Sequence, residues 1–230
     1  MRILIIGLGG IGSALVNKLC RFIRYRGAYI DIENIVLVDG DKYEIKNMER
    51  QEFSFMENLI NKAEVKKAEL ENLYEFNNIL SIPEYVREEN ISDIIKENDF
   101  IFLCVDNHKT RKLVSDYCGN MHEVVLISGG NEWSDGNVQI YIRSNEEDIT
   151  PKLTDYHPEI QNPKDLSPHE MSCEQLAHSE PQLYFANLSV ATFMCWAFYN
   201  IINNMNTKVS EIYFDMNNMA VDAKVRKTKS

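Results

Sequence analysis

Cysteine is scarce and poorly placed for either of its structural uses. The 230-residue sequence has five, Cys20, Cys104, Cys118, Cys173 and Cys195, widely spaced and odd in number, with no CxxC pair. A disulfide framework is thereby disfavoured and no zinc is expected; reduced thiols in a cytoplasmic setting are expected instead. Long hydrophobic runs are missing too. The longest, Leu188 to Ile202, falls short of the roughly 20 residues that span a bilayer and reads as a buried helix. The first apolar stretch, Ile3 to Ile6, is too short for a secretory leader and enters a glycine turn, so it reads as a strand. Positive charge is the third shortage: 24 Lys and Arg face 35 Asp and Glu, a formal −11. That balance disfavours a nucleic-acid backbone as the main partner, and a protein or peptide with a basic face suits it better. No internal repeat is present. What remains, at 44% hydrophobic and 26% charged residues, is a globular chain expected to form one domain over residues 1–230.

What is present starts at once. Arg2 to Ile6 runs straight into Gly7-Leu8-Gly9-Gly10-Ile11-Gly12-Ser13. Gly7, Gly9 and Gly12 allow a tight turn and a close approach of backbone to phosphate, and the following helix points its first N–H groups at the negative charge. A second strand, Ile35 to Val38, ends in Asp39-Gly40-Asp41, which places Asp39 to hold a ribose hydroxyl. Asn47, Arg50 and Gln51 follow, a cluster that a dinucleotide dehydrogenase does not need. Lys62 lies twelve residues beyond Arg50, and Asp106 ends a later strand. Two cations and one carboxylate suit a triphosphate with Mg²⁺: the cations neutralise the leaving oxygens and the carboxylate holds the hard metal. The group points to phosphoanhydride cleavage.

Strand and helix alternate up to about Gly130. Ala14, Leu15, Leu19 and Phe22 carry a helical stripe, and Phe55 to Phe76 is charged and helical, with Leu70 and Leu73 as core candidates. Strands are expected at Ile79 to Ile82, Phe100 to Cys104 and Val124 to Ile127, with a short helix near Ile91 to Ile95 and another over Lys109 to Cys118. That is a Rossmann-like, doubly wound, mostly parallel α/β sheet, whose ligand side lies at the carboxyl ends of its strands. Val138 to Ile142 adds an antiparallel strand, and Glu211 to Phe214 with Met219 to Val225 forms a closing hairpin. Three parts are therefore expected: a nucleotide-binding core over 1–143, a long irregular, mobile loop over 144–178, and a last helix with closing strands over 179–230. Ser179-Glu180-Pro181-Gln182 reads as the capping box of that helix. Lys224 to Ser230 is a basic tail without pattern.

The string Gly7-x-Gly9-Gly10-x-Gly12, Asp39-x-Asp41, Asn47, Arg50-Gln51, Lys62-Ala63-Glu64-Val65 and Cys104-Val105-Asp106-Asn107 with Arg111 resembles the ThiF/MoeB/HesA superfamily of ubiquitin-like modifier activating enzymes. The resemblance covers the chain through about Gly130 and returns at Ser172-Cys173. It implies that Asp39 binds the ribose of ATP, that Arg50 and Lys62 bind phosphates, and that Asp106 binds Mg²⁺. Asn47 and Gln51 would support the phosphate site, Asp41 would shape its entrance, and Lys66 is the rival of Lys62. The implied reaction is adenylation of the C-terminal carboxylate of a ubiquitin-like or sulfur-carrier protein ending in Gly-Gly, by a homodimer. Cys173 is the implied thiol acceptor, and a helix start at Ser172 would favour its thiolate. The zinc-binding CxxC pairs and the N-terminal arm of many relatives are absent from the string, so a minimal bacterial or phage-type enzyme is implied.

Plainer roles stand beside these. The glycine turn alone fits an NAD-dependent oxidoreductase, and the fold also fits a small-molecule or tRNA carboxylate adenylating enzyme or a silent adaptor. Asp106 fits a helix N-cap, Lys66 and Lys67 solvated charges, and Arg111 a structural ion-pair partner. Cys173 fits an inert loop thiol, and His157, His169 and His178 fit solvated loop residues.

Overall fold

The computed structural model describes residues 1–26, 30–49, 51–167, 170, 183–205 and 207–229. The apolar runs become strands β1 (Arg2–Ile6), β2 (Asn34–Val38), β3 (Ile79–Ile82), β4 (Asp99–Leu103) and β5 (Val124–Asn131). After them come β6 (Asp135–Ser144), β7 (Glu147–Asp148), β8 (Glu211–Asp215) and β9 (Ala220–Lys224). Helices α1 (Gly10–Arg26), α2 (Lys62–Tyr74), α3 (Ile91–Ile94), α4 (His108–Cys118), α5 (Pro158–Gln161) and α6 (Tyr184–Ile202) connect and cover them. One sheet runs β3-β2-β1-β4-β5-β6-β8-β9, with β7 beside β6. It is parallel through β5 and antiparallel beyond.

The parallel strands are apolar on both faces because helices cover both. Ile3, Ile5, Leu37, Phe100 and Phe102 pack toward α1 and α6. Leu4, Ile6, Val36, Ile101 and Leu103 face the opposite layer, which contains residues of α3, α4 and α5. Although α6 has the length and composition of a membrane-crossing helix, its Val190, Ala191, Met194 and Phe198 are buried against the sheet and α1. Phe198 meets Phe22, Phe100 and Phe102 with ring centroids 6.2, 5.0 and 5.8 Å apart. Removing that ring by Phe198→Ala should cost about 3–5 kcal/mol, read as a lower midpoint in urea unfolding.

Several expectations need correction. The helix expected over Phe55 to Phe76 is split into a 3-10 turn at Phe55–Glu57, closed by the Ser54–Glu57 capping box, and α2. Leu70 is buried, but Leu73 is 56% exposed. The described residues after β6, 145–167, carry hydrogen bonds and core contacts of their own. Tyr141 and Arg143 both donate to Asp148, at 2.6 and 2.5 Å, and the Thr150 hydroxyl donates to Ile140 O and accepts from Ile142 N, both at 2.8 Å. Leu153 and Ile160 plug into the second core. Two isolated apolar residues make no periodic pattern, which is why the sequence reads as loop there. Ser179 to Gln182, His169, His178 and Cys173 lie outside the described residues.

His157 is no solvated loop residue. It is 8% exposed, with Nδ1 2.8 Å from Glu159 and Nε2 2.8 Å from Glu211. Only the imidazolium donates from both nitrogens. Burial works against that charge, but the two carboxylates prevail and raise the His157 pKa above its ordinary 6.5. Glu211 also accepts from Arg226 at 2.8 Å, so the basic tail is tied to β8. The folded chain holds the His157 proton more tightly than the unfolded one. Its contribution is therefore whole below pH 6.5 and is lost as pH rises through the higher folded value. The stability gap between wild type and His157→Gln should shrink as pH climbs from about 6 to about 9; a constant gap in thermal melts would contradict it.

Candidate nucleotide site

The carboxyl ends of the parallel strands share one rim because their registers align. Ile6 lies beside Val38 on one side and Leu103 on the other. A cavity of about 1170 Å³ opens over that rim. Its lining includes Gly7, Gly9, Gly10, Asp39, Asp41, Asn47, Gln51, Lys62 and Asp106. Of the site residues read from the sequence, Gly12 is close by without lining it. Arg50 and Cys173 lie outside the described residues.

The glycine turn is needed for close approach. Gly7 has φ +90°, and a Cβ on Gly12 would stand 1.9 Å from Gly7 O. Asp39 fastens the turn: its carboxylate accepts from Leu8 N at 2.5 Å and from Asp41 N at 2.7 Å. A carboxylate offers about four acceptor positions, so two such bonds leave capacity for a ribose hydroxyl. Burial pushes the Asp39 carboxyl up to about 6, against the pull of the Lys62 ammonium.

Asn61 escaped the sequence reading, though it organises this corner. It caps α2, its Oδ1 accepting from Ala63 N at 2.8 Å and Glu64 N at 3.3 Å, while its Nδ2 donates to Asp39 O and Asp41 O at 2.8 and 3.0 Å. The signal was there: Asn61-x-x-Glu64 has the form of a helix start. Replacing Asn61 with alanine should cost about 1–2 kcal/mol of stability, measurable by denaturant unfolding.

The cap sets Lys62 at the first helical position, 5% exposed, with Nζ 3.0 Å from Asp41 Oδ2. Burial would raise the Asp41 carboxyl, but Lys62 and the Tyr85 hydroxyl, which donates to Asp41, together hold it below the ordinary carboxylate range. Lys66 corrects the expectation of a solvated charge. It is 1% exposed and paired at 2.6 Å with Glu69, which also accepts from Asn17 of α1 at 3.4 Å, and it is not among the cavity-lining residues. One turn of helix separates the two lysines, and only Lys62 faces the rim. Asn47 Oδ1 accepts from Glu44 N at 3.2 Å, and Gln51 is 4% exposed with Oε1 unpaired among described groups.

Asp106 stands exposed at the end of β4. It is not the cap of α4; Asn107 is, accepting from Thr110 N at 2.8 Å. That leaves the Asp106 carboxylate to the cavity. Arg111 makes no ion pair among the described residues. Its guanidinium donates to Val105 O (3.1 and 2.9 Å) and to Gly129 O (2.9 Å), tying the ends of β4 and β5 together. Burial lowers its pKa, and the nearby Asp106 opposes that. Cys20, Cys104, Cys118 and Cys195 are unpaired and raised by burial, so none of these four is an activated thiol.

A doubly wound sheet with a glycine turn, an acid at the second strand and a buried lysine on one rim is the arrangement of the nucleotide-binding α/β class. The chain belongs to the ThiF family, whose model matches residues 1–229. It is 25% identical over 168 residues to the adenylyltransferase and sulfurtransferase UBA4 of Lodderomyces elongisporus, covering 72% of this chain and 34% of that protein. It is 30% identical over 140 residues to MOCS3 of Drosophila virilis, covering 60% of this chain and 29% of that protein. The chain thus spans about a third of the length of these relatives. Among solved structures, E. coli MccB with ATP superposes at a TM-score of 0.72 and 18% identity, covering 97% of this chain and 63% of that one. This last likeness concerns the fold.

Proposed function

We propose that the chain is an ATP-dependent adenylating enzyme acting on the C-terminal carboxylate of a small ubiquitin-like or sulfur-carrier protein. The observation that carries this is the meeting of Asp39, Lys62 and Asp106 with the glycine turn in one cavity. The similarity to the adenylyltransferases and sulfurtransferases UBA4 and MOCS3, and to MccB, which holds ATP, supports it. At about 1170 Å³ the space exceeds what one small ligand needs.

In this reading the glycine turn and the start of α1 receive the phosphates, and Asp39 accepts a ribose hydroxyl. The carrier carboxylate attacks the α-phosphorus. The bond from that phosphorus to the oxygen bridging to the β-phosphate breaks, pyrophosphate departs, and an acyl-adenylate remains. Lys62, held in place by Asp41, neutralises charge on the departing group. Arg50, placed by sequence alone, would share that task. Asn47 and Gln51 offer amides to the phosphates. No group of three or more His, Cys, Asp or Glu among the described residues forms a metal cage. Mg²⁺ does not need one, since it takes one or two carboxylates and completes its shell with phosphate and water, so the single exposed Asp106 fits it. Mg²⁺ held there would supply charge neutralisation on the phosphates.

Cys173 would then take the acyl group, its thiolate attacking the acyl carbon as AMP leaves. That step rests on the sequence. Cys173→Ala should keep pyrophosphate exchange and lose any carrier adduct cleaved by dithiothreitol; an adduct that persists rules the thiol out. A homodimer is part of the same proposal: Tyr25, Trp196 and Tyr199 are exposed on α1 and α6, where Phe22 meets Tyr199. Radiolabelled ATP–pyrophosphate exchange is the test of the whole reading. It should depend on a small protein ending in Gly-Gly with its carboxylate free, and exchange with no such protein would overturn it.

A further inference from the structure

The β6 wall of the cavity, across β1, β4 and β5 from Asp39, holds a buried side chain with no role in binding the nucleotide. Gln139 on β6 is 3% exposed, lines the cavity, and pairs neither Nε2 nor Oε1 with any described group. Register fixes where it stands. Ile6, Leu103, Ser128, Gln139 and Glu211 lie side by side across β1, β4, β5, β6 and β8. Gln139 is therefore level with the last residue before the glycine turn and three strands from it, about 14 Å at roughly 4.8 Å per strand. Asp39 follows β2, on the other side of β1. A nucleotide with its phosphates at the turn and its ribose at Asp39 extends away from Gln139. The side left open for an approaching carboxylate is the side of Gln139.

Chemistry narrows what meets it. An unpaired buried carboxamide costs about 1–3 kcal/mol, and partners for both its ends remove that cost. It offers N–H donors and a carbonyl acceptor side by side, the complement of the N–H and C=O of one residue in an extended chain, which point to the same side. An ammonium or a carboxylate would engage only one end.

Resting on the adenylation reading, we propose that Gln139 is a specificity-determining residue that grips the main-chain N–H and C=O of one residue of the extended tail being activated, about four residues from its carboxylate at roughly 3.4 Å per residue. The contact reads backbone, so it selects for an extended, ungapped tail and not for particular side chains.

The test uses the full chain and synthetic octapeptides ending in Gly-Gly with a free carboxylate, followed by ATP–pyrophosphate exchange. Gln139→Leu should raise the peptide KM about tenfold while kcat and the ATP KM stay within about twofold. N-methylation is then scanned along the last five peptide nitrogens. At one position it should cost the wild type about tenfold and the leucine variant nothing, a coupling that a purely structural role does not produce. Q139L should melt no lower than wild type because it deletes an unpaired amide, and Gln139→Met repeats the test if the leucine variant does not fold. If only a whole protein ending in Gly-Gly supports exchange, the same scan is made in its ligated tail. An unchanged KM, or no coupled position, overturns the proposal and leaves adenylation standing. Absence of exchange with every peptide and protein overturns both.

Discussion

Asp106→Ala should lower ATP–pyrophosphate exchange by about 10²–10³-fold, the scale of losing one charge-stabilising group at a reacting phosphate. The fold should survive. Asp106 is exposed, caps no helix and bridges no strands; Asn107 and Arg111 do those jobs. The melting temperature is thus expected to stay where it was while the rate collapses. Raising Mg²⁺ should recover part of the loss, because the carboxylate's share in holding the ion is what was removed. A rate within twofold of wild type, across Mg²⁺ concentrations, would take Asp106 out of the site.

Lys62→Ala should have an effect of the same order on rate and a second, more diagnostic one on pH. The lysine is buried beside two carboxylates, one hydrogen-bonded to it and one tied to the glycine turn. Burial raises the Asp39 carboxyl to about 6 even with the Lys62 ammonium opposing it. In the wild type, ATP affinity should therefore fall as pH drops through about 6, since a protonated Asp39 no longer accepts a ribose hydroxyl as an anion. Without the ammonium the Asp39 pKa rises further, and the affinity break should move to higher pH. Lys62→Arg should restore the break to near its original place. A break that stays at the wild-type pH in the alanine variant would show that Lys62 and Asp39 do not share a field.

Much of this was legible in the sequence, for a physical reason. Strands buried on both faces are continuous apolar runs bounded by turn residues, so Ile3 to Ile6 and Phe100 to Leu103 announce themselves. The rim follows from topology once those strands are parallel. What escaped was held by single tertiary contacts. Leu153 and Ile160 anchor the stretch after β6 with no period to reveal them, and His157 is buried by Glu211, distant in sequence. Lys66 reads as surface charge because its partner Glu69 sits one helical turn on, a pairing common on solvated helices. Gln139, between Val138 and Ile140, follows the alternation of a half-exposed strand; that its polar face looks into a cavity and not into water is decided by helices packed elsewhere.

Underlying all of it is the claim that this rim holds a nucleoside triphosphate. Calorimetric titration of the full chain with ATP in Mg²⁺ buffer, and separately with NAD, tests that most directly. The account predicts saturable heat with ATP, lost in Asp39→Ala, and none with NAD. Saturable binding of NAD with no heat from ATP would contradict it.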